Sequence, residues 1–143
     1  MSDAAVEAKA LRNTPFFSGL SDEDVSEIIA MGEQASFAEG EHIVTQGDVG
    51  DAMYVLLEGT AEVDVGGRFH RLHAGQFVGE MALMSSGRRL ATVKATSPVG
   101  TLRIPGEGFR AFLLGHPQIA VSMLEALSER LREVEQRFEA WMT

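Results

Sequence analysis

An acid and two adjacent arginines stand out in a run dominated by small and apolar residues, GEMALMSSGRRLATVKA, at residues 79–95. Glu80 lies near its start, and Arg88 and Arg89 lie eight and nine positions on, directly after Gly87. A guanidinium and backbone N–H groups together can hold a small anion such as a phosphate. A carboxylate does the complementary work and accepts a hydrogen bond from a hydroxyl. Gly79 allows close backbone approach. EMALM favours one short helical turn whose first N–H groups are free for an anion, and Leu90-Ala91 can add two more. Such a set suits a ligand that carries both a phosphate and a hydroxyl. The structural alternative is an ion pair between Glu80 and Arg89 that closes the loop, with Arg88 a solvated neighbour.

These residues need a scaffold, and the flanking sequence supplies one of mixed type. Residues 4–32 read as helix, broken by NTPFFSGL with Pro15 and Gly19. In the second piece Ser21 is placed to cap, acids fill the first turn, and Gly32 is the expected stop. Residues 35–104 alternate short β-prone pieces with glycine and acid turns. Strands are expected near 35–37, 42–45, 53–58, 60–65, 68–73, 91–96 and 99–104. Turns are expected at Glu39-Gly40, Gly47-Asp48, Gly50-Asp51, Glu58-Gly59, Gly66-Gly67, Ala74-Gly75 and Ser97-Pro98. Gly66-Gly67 is a two-residue hairpin signal. This interval of strands points to a mostly β fold with flanking helices: an antiparallel jelly-roll barrel, or double-stranded β-helix.

Residues 106–143 return to helix: a short amphipathic piece ended by Gly115, then a long helix opened by Pro117. Along the long helix Leu124, Leu127, Leu131, Val134, Phe138 and Trp141 are spaced 3, 4, 3, 4, 3, the stripe of a coiled-coil seam. It runs past what one small barrel can cover, so a homodimer through this helix is expected. The reading is one domain over 1–143: N-terminal helices to 34, a β-roll over 35–104 with the anion-binding segment at 79–92, and a C-terminal hinge and lid over 106–143.

Composition narrows the function. A chain of 143 residues, 45% hydrophobic and 23% charged, can build a core of its own. Its net charge of −9 argues against a general affinity for nucleic acid. Without cysteine there are no disulfides, thiolate metal sites or cysteine nucleophiles, and a reducing cytoplasm is the expected setting. No run is long and apolar enough for a membrane span. His42, His70, His73 and His116 lack metal-ligand spacing, and His70 and His73, three apart on a strand, face opposite ways. No nucleophile–base set is evident. The chain is therefore read as a non-enzyme without a metal.

The run Phe77-Val78-Gly79-Glu80-Met81-Ala82-Leu83, followed by Arg89-Leu90-Ala91-Thr92-Val93-Lys94-Ala95, closely resembles the phosphate-binding cassette of the cyclic nucleotide-binding domain family. That family includes protein kinase A regulatory subunits, nucleotide-gated channels and the bacterial catabolite-activator regulators. Phe37-x-x-Gly40-Glu41-x-Ile43, Gln46-Gly47-Asp48, Gly50-Asp51-x-Met53-Tyr54 and Gly59-x-Ala61-x-Val63 match its glycine-punctuated strands in order. The resemblance covers roughly residues 14–135. It implies that Glu80 binds the ribose 2′-hydroxyl and Arg89 the cyclic phosphate. Phe77, Val78, Gly79, Met81, Ala82, Leu90 and Ala91 would complete the site, with a base cap drawn from Leu127, Arg130 and Leu131. Leu90 stands where relatives that prefer cGMP often carry threonine, so cAMP is the expected ligand. The chain closes at Thr143 with no DNA-binding, kinase-inhibiting or channel segment in view, so neither nucleic acid nor membrane is an expected partner. Two rival uses of the fold are a dimerisation scaffold that binds no nucleotide and a metal-dependent enzyme of the cupin type.

Overall fold

The structure, a computed structural model, describes residues 3–14, 17, 19–83, 85 and 87–142, and the side chains of all of these except 3, 4, 130, 141 and 142. Two helices open the chain, α1 (Asp3–Arg12) and α2 (Asp22–Met31). Ser21 caps α2 as expected: its Oγ accepts from the Asp24 N–H at 3.1 Å. Pro15 lies outside the described residues. Gly32 ends the helix, and a Cβ there would overlap Leu102, so close packing on the sheet is what excludes a side chain.

Among the described residues ten antiparallel strands follow: β1 (Glu33–Phe37), β2 (His42–Val44), β3 (Val49–Gly50), β4 (Ala52–Glu58), β5 (Thr60–Val65), β6 (Arg68–His73), β7 (Phe77–Val78), β8 (Gly87–Arg88), β9 (Thr92–Ala95) and β10 (Val99–Pro105). They form sheets of order β1-β10-β4-β7 and β2-β9-β5-β6, with β3-β8 as a separate ribbon. A 3₁₀ turn, Glu80–Leu83, lies between β7 and β8. Helices α3 (Gly106–Gly115) and α4 (Pro117–Met142) close the chain. The jelly-roll fold is the one expected, with three differences in detail. The first strand starts at Glu33, two residues early. The two-residue strands β3, β7 and β8 are too short to carry a periodic signal. Gly50, expected in a turn, belongs to β3.

The first sheet is covered on both faces. On one side Met53, Val55, Leu102 and Ile104 pack with Leu11, Phe17, Val25, Ile28, Phe109, Ile119 and Met123 from the helices. On the other, Leu56 and Val99 meet Ala61, Val63, Leu72, Val93 and Ala95 of the second sheet, and this is the barrel interior. Burial on both faces explains why β4 reads as the continuous run AMYVLL rather than an alternating one. Gly66 and Gly67 turn the β5–β6 hairpin with φ of +59° and +87°, as a two-residue primed turn requires.

Candidate functional site

Between β7 and β9 the described residues form the 3₁₀ turn Glu80–Leu83 and the two-residue strand β8. Ala82 and Leu83 of the 3₁₀ turn are buried, and Leu83 belongs to the helical core. From α3, Arg110 Nη1 donates to the Leu83 carbonyl at 3.1 Å. Gly106 donates its N–H to the Asp51 carbonyl at 2.8 Å, and a Cβ on it would lie 2.7 Å from the Ala82 carbonyl oxygen. The turn that carries Glu80 is thus clamped to α3.

Register separates the two arginines. Arg88 lies on β8 opposite Val49, exposed, and its Nη1 donates to the Gly47 carbonyl at 2.7 Å. Arg89 turns inward. Its backbone is fixed from both sides, donating to Asp48 at 2.7 Å and accepting from Gly47 at 2.9 Å. Its guanidinium lies against Gly50 and Gly79. A Cβ on Gly50 would come within 2.7 Å of Arg89 Nε, and one on Gly79 would overlap Nη1. Gly79 also has φ of +79°, a conformation that side-chain-bearing residues resist. Arg89 Nη2 donates to the Ala52 carbonyl at 2.7 Å.

Arg89 has no carboxylate partner among the described residues. Burial pushes its pKa below the ordinary value; Tyr54 and Asp51 oppose that and Arg103 adds to it. The fold therefore holds a partly desolvated cation whose charge is unmatched, an arrangement an anion would relieve. Glu80 is half-buried, and its carboxylate likewise makes no ion pair or hydrogen bond among the described residues. The Glu80–Arg89 ion pair is not formed.

The N–H groups of Glu80, Met81, Leu90 and Ala91 also donate to no described group. Thr92 is committed elsewhere, its Oγ1 accepting from Gln46 N–H at 3.0 Å. Phe77, Val78 and Ala91 are half-buried, with Val78 and Ala91 on the barrel interior. Met81 and Leu90 stand 74% and 80% exposed, so the segment forms an open shelf. Clefts of about 330 and 240 Å³ lie elsewhere, between α1 and α2 and beside β1 and β10. The sequence reading named Arg89 and Gly79 but missed the rest of the seat, Gly50 and the Ala52 carbonyl. The GDxM match around Gly50 was the available signal.

Leu127 and Leu131 are exposed on α4, at 43% and 61%. The side chain of Arg130 lies outside the described residues. No group of three or more metal-ligating side chains occurs among the described residues, and no described helix is long and apolar enough to cross a membrane.

Residues 34–116 match the model of the cyclic nucleotide-binding domain. Over 113 residues, 73% of the chain, it is 36% identical to the cAMP-dependent protein kinase regulatory subunit of Blastocladiella emersonii. It is 28% identical over 131 residues, 87% of the chain, to the cyclic AMP receptor protein of Thermus thermophilus. These matches take in 27% and 61% of the two relatives, so the chain corresponds to only part of each. Among solved structures, the N-terminal domain of a transcriptional regulator from Streptomyces coelicolor superposes with a TM-score of 0.81 at 30% identity, covering 90% of this chain and 94% of that one. The chain belongs to the cyclic nucleotide-binding domain family.

Proposed function

We propose that this chain is a regulatory module whose ligand is a 3′,5′-cyclic nucleotide, cAMP in preference to cGMP. Arg89 binds the cyclic phosphate together with the N–H groups of Leu90 and Ala91. Glu80 accepts from the ribose 2′-hydroxyl. Phe77, Val78, Gly79, Met81 and Ala82 shape the shelf around them. The observation that carries this reading is the half-buried, unmatched guanidinium of Arg89 beside an equally unpartnered Glu80. Leu90 offers no side-chain hydrogen bond to a guanine, which supports cAMP.

The response follows from the clamp between the 3₁₀ turn and α3. Drawing the turn toward a phosphate pulls on Arg110 and Gly106, and so on α3 and α4. Ligand then favours one arrangement of these helices only by its difference in affinity for the two. Leu127 and Leu131 are the candidates to close over the base. The same helix supports a homodimer. Ile119 and Met123 pack inward, while Leu124, Leu127, Leu131, Val134 and Phe138 stay 43–62% exposed along one seam. Trp141, the last member of the expected stripe, lies outside the described side chains. The role is that of a binding module rather than a catalyst, and the cysteine-free sequence suits the cytoplasm.

Calorimetric titration of the nucleotide-free chain with cAMP and cGMP tests this reading. One site per chain with submillimolar affinity and cAMP the tighter ligand is the expected result. No heat with either nucleotide, and no competition with a fluorescent analogue, leaves the dimerisation scaffold as the better account.

A further inference from the structure

Strand β6 stands last in the order β2-β9-β5-β6, so one of its backbone edges has no neighbouring strand among the described residues. Its other edge pairs with β5, from Val65 opposite Arg68 to Thr60 opposite His73. In a hairpin closed by two residues, the pair next to the turn exchanges both of its backbone hydrogen bonds, and every second pair beyond it does the same. Arg68, His70 and Leu72 therefore bond to β5, while Phe69, Arg71 and His73 turn their N–H and C=O groups outward. His73 is served from within the chain: its N–H donates to Gln76 Oε1 at 2.7 Å, and its C=O accepts from the Gln76 N–H at 3.0 Å. No described group meets the outward N–H and C=O of Phe69 and Arg71.

The residues of this open edge read RFHRLH, with two arginines, two histidines and no acid, in a chain of net charge −9. All but Leu72 are exposed, and Phe69 is 61% exposed. Neither Arg68 nor Arg71 has an ion-pair partner among the described residues. On the outer face of the sheet Glu62 lies opposite both Arg71 and Lys94, one acid between two bases. Asp64, opposite Phe69, is engaged in the turn, where its Oδ1 accepts from the Gly67 N–H at 2.8 Å. Charges on an edge strand keep it from pairing with a like edge. Here they have a single sign, so the side chains that repel a second β6 attract a strand that carries acids.

We propose that β6 is a docking edge for an acidic, extended segment of a partner protein, which adds to the sheet as an antiparallel strand. Its backbone pairs with the N–H and C=O groups of Phe69 and Arg71. Strand alternation then fixes which side chains meet. Read from its N-terminus, the incoming strand places an acid opposite Arg71, any residue opposite His70, an apolar residue opposite Phe69 and a second acid opposite Arg68. A nucleic acid would meet the arginines but has no backbone amides to extend the ladder, and the net charge of the chain opposes it. The edge includes neither Arg89 nor Glu80, so it stands independently of the cyclic-nucleotide reading.

A short peptide with the core Glu-Thr-Val-Glu, titrated into the full chain and followed by NMR, tests the proposal. Binding at about 0.1–1 mM is expected. It should weaken as salt is added, and the amide hydrogens of Phe69 and Arg71 should exchange more slowly when the peptide is bound. Arg71→Glu should lower the affinity roughly tenfold, since a like charge then faces the acid. Putting Pro in place of the peptide's Val removes the N–H that donates to Phe69 and should lower it by a similar factor. A peptide with the core Lys-Thr-Val-Lys should not bind. Arg89→Ala should bind the acidic peptide as the parent does. Thermal unfolding checks that the Arg71 variant keeps its fold, as an exposed position allows. The proposal is overturned if the acidic peptide binds no more tightly than the lysine peptide, or if Arg71→Glu leaves its affinity unchanged. An equal affinity for the proline peptide, or for a single-stranded oligonucleotide on the same residues, would make β6 a patch for anions in general and would also overturn it.

Discussion

Two arginines border Asp51, and the fold treats them differently. Arg103, on the regular strand β10, reaches Glu33 at 3.5 Å and Asp51 at 3.4 Å. Arg89, on the irregular segment between β8 and β9, feels Asp51 only at a distance and bonds to a neutral carbonyl. One cation has its charge met by the protein. The other is desolvated by burial, fixed at both backbone atoms, and left without an acid. Arg103 ties the end of β10 to β1 and to the chain entering β4, which is a structural task. For Arg89 the fold spends two glycines, Gly50 and Gly79, on holding a side chain whose charge meets no acid among the described residues. The proposed phosphate is what gives that arrangement a use.

Exchanging the roles of this pair is the most direct way to break the comparison. Arg89→Ala should cost about 2–5 kcal/mol of cyclic nucleotide binding, the range for truncating one side of a buried charge pair. Its thermal midpoint without ligand should stay within about 4 °C of the parent, since no ion pair is lost. Arg103→Ala should do the reverse, costing about 1 kcal/mol of stability and leaving affinity intact. Calorimetry and thermal melts on both variants decide it. A melt that collapses in Arg89→Ala with affinity preserved would make Arg89 the structural arginine. The lowered pKa of Arg89 has a definite sign: burial disfavours the charged form, so the penalty acts at every pH below that pKa and is relieved only in strong alkali. Nucleotide binding should accordingly owe no pH dependence to Arg89 near neutrality.

A second contrast lies within α4. Its first turns bury Ile119 and Met123 against the core, and its remainder leaves a seam of leucine, valine and phenylalanine in water. Leu131→Glu with Phe138→Glu puts charges into that seam and should convert a dimer to a monomer in light scattering. Ile119→Glu should unfold the domain instead. An unchanged mass in the double variant would remove α4 from the interface.

What the sequence disclosed follows the same division. Ser21, Gly32, the Gly66-Gly67 turn and the α3–α4 break at His116-Pro117 were legible because caps and turns are local chemistry. Arg89 and Glu80 were legible through their setting in a motif. The seat of Arg89 was not, because Gly50 and the Ala52 carbonyl reach it through the β3–β8 and β4–β7 pairings; the GDxM match marks Gly50 but not what it packs against. The continuous burial of β4 likewise depends on helices that lie far from it in sequence.

Glycines sharpen the first comparison at smaller cost. Gly79 and Gly66 both have positive φ, but a Cβ at Gly79 runs into Arg89 whereas one at Gly66 meets open space. Gly66→Ala should therefore show backbone strain alone, about 1–2 kcal/mol of stability, with nucleotide affinity unchanged. Gly79→Ala should lose at least as much stability and also displace the guanidinium, so affinity falls with it. Equal affinities in the two variants would mean that the position of Arg89 does not matter for binding.

The smallest expected effect concerns the junction of α3 and α4. His116 stacks on Phe112 with ring centroids 4.2 Å apart, places Nδ1 2.9 Å from the Phe112 carbonyl and Nε2 2.9 Å from Glu27 of α2. Like Arg103, it is a cation-capable group met by the protein itself, so its loss should register in stability rather than in recognition. Both partners are partly exposed, which keeps the pair in the range of surface ion pairs. Glu27→Gln should thus cost under about 1 kcal/mol in chemical denaturation. The junction also lies on the route from the 3₁₀ turn to α4, because Arg110 joins that turn to α3 one and a half turns earlier. If Glu27→Gln changed cyclic nucleotide affinity by more than it changed stability, the pair would belong with Arg89 rather than with Arg103. The division between structural and ligand-facing charges would then have to be drawn around the helices as well as the barrel.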